Sequence, residues 1–352
     1  MKAAVLELER PGKGRFRIAD LPQPAPGPDE IVIRLGAASI NPIETLMRNG
    51  YGDSLFKWMR DKGPRVLGLD GAGVVQAAGS RVQALREGDL VMASNWPYKA
   101  GFYAEYVRVP ADYVTAVPEG ISIADAAAVP YTGLTLCSVL EAAQLDAGNA
   151  PGKRVLVHGG SGGIGSILVQ LLHRWGCWVA TTCSTANVDR VKALGAHRVV
   201  DYRSEDFAAV LSDLDVVVNT VAPDPSAKKL DEAPHLSVLR TGGRYVSLIS
   251  PTLTLADLLG GPPGLLVAGA WMGGARLYWL LRGKHHRWVY YKPTPQRLAA
   301  VAGWLESGAV KPLIGGRHTL DQVNEAHARL EQGKAGGKLL LILDEQLAQR
   351  RA

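Results

Sequence analysis

Cysteine is scarce. Cys137, Cys177 and Cys183 are the only three in 352 residues, each stands in an apolar segment, and no two have CxxC spacing. That excludes a disulfide framework and a zinc ribbon, and it fits a reducing compartment. A run of one charge sign is also missing. Lysine plus arginine outnumber aspartate plus glutamate by 39 to 33, but the surplus is scattered, which points weakly to an anionic ligand and away from nucleic acid. No apolar run reaches the ~20 residues of a membrane span. The most apolar stretch, Leu258 to Leu281, is broken by Pro262, Pro263, several glycines and Arg276, and it reads as a buried strand and helix. The N-terminus passes at once into a strand-like run, Lys2 to Leu8, which leaves no room for a charged region, a signal core or an arginine-rich presequence, so either none existed or it was removed.

What is present is a large apolar fraction, 47% of the chain, in more residues than the ~250–300 at which single cores stop growing. Two lobes are expected. From residue 1 to about 127, Val/Ile-rich runs alternate with Gly/Pro turns, at Glu30 to Leu35, Gly71 to Gln76, Asp89 to Ala93 and Tyr103 to Val109, as in an all-β lobe. From Arg154 the pattern becomes strand, glycine turn, helix and strand again, with strand candidates at 154–158, 178–182, 198–201, 215–219 and 244–249. That alternation specifies a doubly wound parallel sheet. Helix-like segments at 296–307 and 320–332 then lead to an apolar strand, Lys338 to Leu343.

The most informative motif is Gly160-Ser161-Gly162-Gly163-Ile164-Gly165, a GxGxxG directly after the strand Val155-Leu156-Val157. Ile164, Ile167, Leu168, Leu171, Leu172 and Trp175 follow at the spacing of one helical stripe. The glycines therefore open a helix, whose unpaired N–H groups and positive dipole end hold a pyrophosphate if nothing bulkier intervenes. The bland reading is an ordinary glycine turn. An NAD site places a carboxylate at the end of the second strand, and here the residues are Thr182-Cys183-Ser184, with Asp189 several positions on. Ser184, Arg190, Lys192 and Tyr202 offer donors or positive charge to a 2′-phosphate, so NADPH is expected as cofactor. Ser184 is equally suited to capping a helix.

In order along the chain, Val66-Leu67-Gly68-Leu69-Asp70-Gly71-Ala72-Gly73-Val74-Val75, Gly88-Asp89-Leu90-Val91, Ala127-Ala128-Val129-Pro130-Tyr131 and the glycine loop resemble the medium-chain dehydrogenase/reductase superfamily. The resemblance implies an α/β fold, with a GroES-like β-barrel catalytic domain and a Rossmann doubly wound parallel-sheet cofactor domain. It puts the first part of the catalytic domain at 1–127, the NADPH-binding domain at 128–290 and the return to the catalytic domain at 291–352. Zinc members carry a cysteine and a Gly-His-Glu motif where this chain has Asn41, Leu69 and Asp70, and no cysteine follows between Met92 and Phe102. No metal site is therefore expected, which points to the zinc-free quinone oxidoreductase branch, since quinones and enones are already electron-poor.

The runs Tyr51-Gly52-Asp53-Ser54-Leu55-Phe56-Lys57 and His285-His286-Arg287-Trp288-Val289-Tyr290-Tyr291, with Asn41-Pro42-Ile43-Glu44 and Cys183-Ser184, are similar to the mitochondrial reticulon-4-interacting oxidoreductases. That likeness implies NADPH-dependent reduction, a link to ubiquinone synthesis and a mitochondrial matrix location, or otherwise the cytoplasm. It carries cofactor contacts to Ser161, Gly163, Ile164, Ser184, Tyr202, Thr220, Leu248, Val289, Tyr291, Lys334, Ala335 and Gly336. Thr220 and Gly336 depart from that family's asparagine and arginine.

Two catalytic candidates remain. Asn41 would donate its amide to the nicotinamide ribose or the acceptor oxygen, or would simply form an Asn-Pro turn. Tyr51, in the turn Asn49-Gly50-Tyr51-Gly52, would hydrogen-bond or protonate the developing oxyanion in competition with water, or would only pack. The expected activity is hydride transfer from NADPH to a quinone or enone, with a homodimer through the edge of the nucleotide sheet. The rival from another class is an NADPH-binding interaction or sensor protein with little turnover.

Overall fold

The computed structural model describes residues 1–10, 13–56, 63–97, 99, 101–221 and 232–352; Lys57, the end of the run that begins at Tyr51, lies outside them. The chain divides into two compact units, Met1–Leu134 with Pro293–Ala352, and Thr135–Lys292.

The first unit opens on an antiparallel pair, β1 (Lys2–Arg10) and β2 (Lys13–Asp20). There follow β3 (Glu30–Ile40), β4 (Asp70–Ala78), β5 (Leu90–Ser94), β6 (Tyr106–Pro110) and β7 (Val114–Ala116). β3 is buried along nearly its whole length because β4 and β6 pair with it and Ile31, Ile33 and Leu35 enter the core with Phe102 and Tyr103. The strand read at Tyr103 to Val109 starts later, at Tyr106. Residues 103–105 bond instead to β1 and to Leu67.

The second unit is a six-stranded parallel sheet of β8 (Arg154–His158), β9 (Trp178–Cys183), β10 (Arg198–Asp201), β11 (Leu214–Asn219), β12 (Leu239–Ser247) and β13 (His285–Trp288), in the order β10-β9-β8-β11-β12-β13. The chain winds outward from β8, then returns to β8's other side at β11, so the strand order reverses between those two. The helix Gly163–Arg174 buries Ile167, Leu168, Leu171 and Leu172, the centre of the stripe read from sequence.

Two expectations fail here. The sheet has a sixth strand, β13, which the sequence His-His-Arg-Trp does not mark as one. The segment from Leu258 to Leu281 contains no strand and is not buried. It lies in two helices, Thr252–Leu259 and Pro262–Leu280, and Leu258, Leu266 and Leu281 are about three-quarters exposed, at 74%, 77% and 77%. Among the described residues no helix is long and apolar enough to cross a membrane.

The chain then contributes the helix Pro295–Glu306, β14 (Ile314–Thr319), the helix Val323–Glu331 and β15 (Lys338–Ile342). β15 pairs antiparallel with β3 and completes a seven-stranded sheet in the order β14-β15-β3-β4-β5-β7, with β6 on β3.

Candidate active site

In a parallel sheet every strand ends on the same side, and ligands settle at that edge where the strand order reverses. The six strands of the second unit end at His158, Cys183, Asp201, Asn219, Ser247 and Trp288. The candidates Gly160 to Gly165, Ser184, Tyr202, Thr220, Leu248, Val289 and Tyr291 all follow these ends within a few residues. Backbone bonds hold the edge together: Tyr202 N–H to Cys183 O at 3.2 Å, Thr220 N–H to His158 O at 3.2 Å, Leu248 N–H to Asn219 O at 3.1 Å and Val289 N–H to Ser247 O at 3.1 Å.

The glycines of the loop have different jobs. A Cβ on Gly160 would lie 2.0 Å from Thr181 Oγ1, and one on Gly165 would lie 2.2 Å from Gly159 O, so the chain itself demands glycine at both. Gly162 has ordinary extended dihedrals, φ −75° and ψ 169°, and a Cβ there would meet nothing nearer than Gly159 O at 3.4 Å. Packing does not explain that glycine, which leaves the face of the loop open to a ligand. Among the described residues no acceptor takes the N–H of Ser161, Gly163, Ile164 or Gly165, so four donors converge at a positive helix end. His158 adds no charge. Burial pulls its pKa down to about 4, and its Nδ1 shares a hydrogen bond with Thr182 Oγ1 at 2.9 Å.

At the end of β9, Ser184 is half-buried and its Oγ accepts from Asn187 Nδ2 at 2.9 Å. Tyr202 is 57% exposed beside it. The nearby carboxylate, Asp201, is spent on Thr185 and on the Arg203 N–H at 3.0 Å, contacts that lower its pKa.

In the first unit, Asn41 caps the helix Pro42–Arg48, and Glu44 reaches back to accept its backbone N–H at 2.7 Å, the arrangement of a capping box. The expected amide donor is not available. Asn41 is 1% exposed, its Nδ2 donates to Asp70 Oδ1 at 2.9 Å and lies 3.3 Å from Glu44 Oε1, and its Oδ1 accepts from the Lys338 ammonium. Asp70 also accepts from Ser39 Oγ and from the Tyr131 N–H at 2.9 Å. Glu44 further accepts from Leu69 N–H at 2.7 Å and from Tyr103 Oη, which in turn meets His327 Nε2 at 3.1 Å. Burial lifts the Glu44 carboxyl to about 7, raises Tyr103 well above its ordinary value and lowers His327 to about 3.

The group in this cluster with donor capacity to spare is Lys338, whose ammonium carries three N–H groups and donates to Asn41 Oδ1 and to Thr132 Oγ1 at 3.0 Å. Burial lowers its pKa, while Asp70 and Glu44 pull it back up. Sequence reasoning missed Lys338, Thr132, Tyr103 and His327. A single lysine heading an otherwise apolar strand, Lys338-Leu339-Leu340-Leu341-Ile342, was the available signal, since lysine is almost never buried unpaired.

Tyr51 follows the C-terminal end of the Pro42–Arg48 helix, between Gly50 at φ 95° and Gly52 at φ 79°, and its N–H folds back to Leu46 O at 3.1 Å. Lys334, Ala335 and Gly336 form the first unit's turn into β15, with φ 63° at Gly336, a left-handed conformation that suits glycine better than arginine.

Two family models match the chain: alcohol dehydrogenase GroES-like domain over residues 27–119 and zinc-binding dehydrogenase over residues 194–341. The zinc named in the second does not fit the residues present. Leu69 has no donor, the Asn41 amide and Asp70 carboxylate are consumed by their neighbours, and the Lys338 ammonium brings positive charge into the cluster. Among the described residues no three His, Cys, Asp or Glu side chains group to hold a metal.

The human protein "NAD(P)H oxidoreductase RTN4IP1, mitochondrial" is 33% identical over 327 residues, spanning 89% of this chain and 82% of its own length. The 2-methylene-furan-3-one reductase of Solanum lycopersicum is 33% identical over 323 residues, 89% of this chain and 71% of its own length. Among solved structures, the quinone oxidoreductase from Coxiella burnetii superposes with a TM-score of 0.80 at 28% identity, covering 97% of this chain and 99% of its own.

Proposed function

Because the chain belongs to the medium-chain dehydrogenase/reductase superfamily, with the RTN4IP1-type NAD(P)H oxidoreductases among its relatives, we propose that it uses NADPH to reduce an electron-poor carbonyl compound, a quinone or an enone. One observation carries the reading: four unpaired backbone N–H groups and an unforced glycine, Gly162, stand at the carboxyl edge where the strand order reverses. The names of the tomato and Coxiella proteins, a furanone reductase and a quinone oxidoreductase, supply the acceptor class.

In this reading the N–H groups of Ser161, Gly163, Ile164 and Gly165 bind the diphosphate, and Gly162 lets it approach. Ser184 and Tyr202 meet the 2′-phosphate, where a carboxylate at the end of β9 would have repelled it. Leu248, Val289 and Tyr291 hold the nicotinamide side and exclude water from it. When bound, the reduced nicotinamide supplies a hydride. Charge developing on the acceptor oxygen would call for a hydrogen-bond donor, and Lys338, held by Asn41 and Thr132 within the first unit, is the proposed one. Tyr51 is a second candidate donor.

The relatives named as mitochondrial make that compartment part of the proposal, and the family resemblance adds a link to ubiquinone synthesis. So is a homodimer. The test is to mix enzyme and NADPH with a panel of quinones, enones and simple aldehydes and to follow the loss of reduced-nicotinamide absorbance. Consumption with quinones or enones and not with aldehydes is expected. Tight NADPH binding without consumption across the panel would turn the reading to a nucleotide sensor.

A further inference from the structure

The helices Thr252–Leu259 and Pro262–Leu280 hold to the second unit by one side only. Ala256, Gly264 and Ala268 are their buried residues, and a Cβ on Gly264 would lie 2.1 Å from Leu255 O, so the two helices touch backbone to backbone. The outward side is as apolar as the inward one. Leu266, Leu277 and Leu281 recur at i, i+11 and i+15, with Trp271 and Tyr278 alongside, and all are exposed. Exposed apolar side chains gathered in one ridge mark an interaction site.

Charge selects the partner. Between Thr252 and Trp288 the chain carries four cationic side chains, Arg276, Arg282, Lys284 and Arg287, against one carboxylate, Asp257; the Lys284 ammonium is spent on Leu236 O, which leaves the three arginines to face a partner. Among the described residues no carboxylate pairs with Arg276 or Arg287, and Arg276 and Arg244 are close enough to press Arg287 below its ordinary pKa, which burial has already lowered. A second copy of this chain would set these cations against themselves. An anionic surface neutralises them, and the combination of apolar ridge, interfacial aromatics and basic flank is that of a helix lying in the plane of a bilayer. Beneath the ridge a pocket of about 400 Å³ is lined by Leu265, Met272 and Trp288 together with Arg276 and Arg287, apolar walls beside two guanidinium groups.

We propose that Thr252 to Arg282 is a membrane-docking element, which seats the protein on an anionic bilayer with its leucines and Trp271 in the acyl boundary and Arg276 and Arg287 on lipid phosphates. This stands apart from the proposed reduction and does not depend on it.

The test is co-sedimentation of the full chain with phosphatidylcholine vesicles and with vesicles that also contain phosphatidylglycerol, beside sedimentation equilibrium without lipid. The wild type binds the anionic vesicles only. Leu266→Glu/Leu277→Glu abolishes binding, and Arg276→Gln/Arg287→Gln weakens it about thirtyfold, taking roughly 1 kcal/mol per cation near the surface. All of these side chains except Arg287 are exposed, so melting temperature and NADPH affinity report whether the variants remain folded. Failure of the wild type to bind either vesicle overturns the proposal, as does binding undiminished in the folded glutamate variant. A wild-type dimer that the glutamate variant converts to a monomer, with no vesicle binding by either, assigns the ridge to a second copy instead.

Discussion

Substituting the glycines of the loop one at a time separates what the fold needs from what the cofactor needs. At Gly165 an added Cβ would sit 2.2 Å from the backbone carbonyl of Gly159, and at Gly160 it would sit 2.0 Å from Thr181 Oγ1, which is itself bonded to Val157 O at 2.7 Å. Neither neighbour can withdraw cheaply, so Gly160→Ala and Gly165→Ala each cost about 3 kcal/mol or more as overpacking. Gly162 is the contrast. Its φ of −75° suits any residue and its nearest neighbour is 3.4 Å away, so Gly162→Ala trades a weaker N-cap against a stiffer unfolded chain and nets within about 1 kcal/mol of zero. Gly162→Val fills the approach to the N–H groups. If a bulky side chain there disengages two charge-assisted hydrogen bonds to the diphosphate, the loss is about 3–6 kcal/mol, a factor of roughly 10²–10⁴ in affinity. Urea unfolding measures the first quantity and NADPH fluorescence titration the second. Unchanged NADPH affinity in Gly162→Val, or unfolding of that variant as severe as that of Gly165→Ala, refutes the assignment.

Lys338→Met is expected to lower kcat/KM for quinones about a hundredfold, as removal of one oxyanion donor does, while NADPH affinity holds; because the variant leaves buried carboxylates without their cation, Lys338→Arg provides the folded comparison. Ser184→Asp places a carboxylate at the end of β9 and should shift preference from NADPH toward NADH by about ten- to a hundredfold in the ratio of dissociation constants, from repulsion of the 2′-phosphate. Glu44 makes a pH prediction: burial lifts its pKa from 4.5 to about 7, so the folded state keeps a proton that the unfolded chain releases earlier. Its contribution is therefore fully present below the unfolded value and is lost as pH rises toward 7, a change of about 3 kcal/mol that should vanish from the urea-unfolding profile of Glu44→Gln. His158 and His327, lowered to about 4 and about 3, destabilise in the opposite direction as pH falls below their unfolded value, so the quantity to read is the difference between variant and wild type.

How legible each part was in the sequence follows from how far apart its residues lie. The strand, glycine turn and helix were legible because they are local, running through Arg154 to Arg174 without interruption, whereas the candidates at the later strand ends, Tyr202, Thr220, Leu248, Val289 and Tyr291, came from the family resemblance. The cluster around Asn41 was not legible, because it draws Ser39, Glu44, Asp70, Tyr103, Thr132, His327 and Lys338 from segments as far as 297 residues from Asn41, and no periodicity spans that distance. Read singly, Asn41 looked like a free amide. Its three charged neighbours turn it into a strut that holds Lys338. β13 was missed for a different reason: His285-His286-Arg287-Trp288 alternates in burial, with His286 and Trp288 inward, but histidine and tryptophan do not announce a core position as valine does. The segment from Leu258 to Leu281 was misread because hydrophobicity shows only that a residue is better off out of water. It does not say that the same chain provides the shelter. Arg276 and Arg282, within and just after that segment, are what a core helix would not carry, and both are exposed on the face for which an outside partner is proposed.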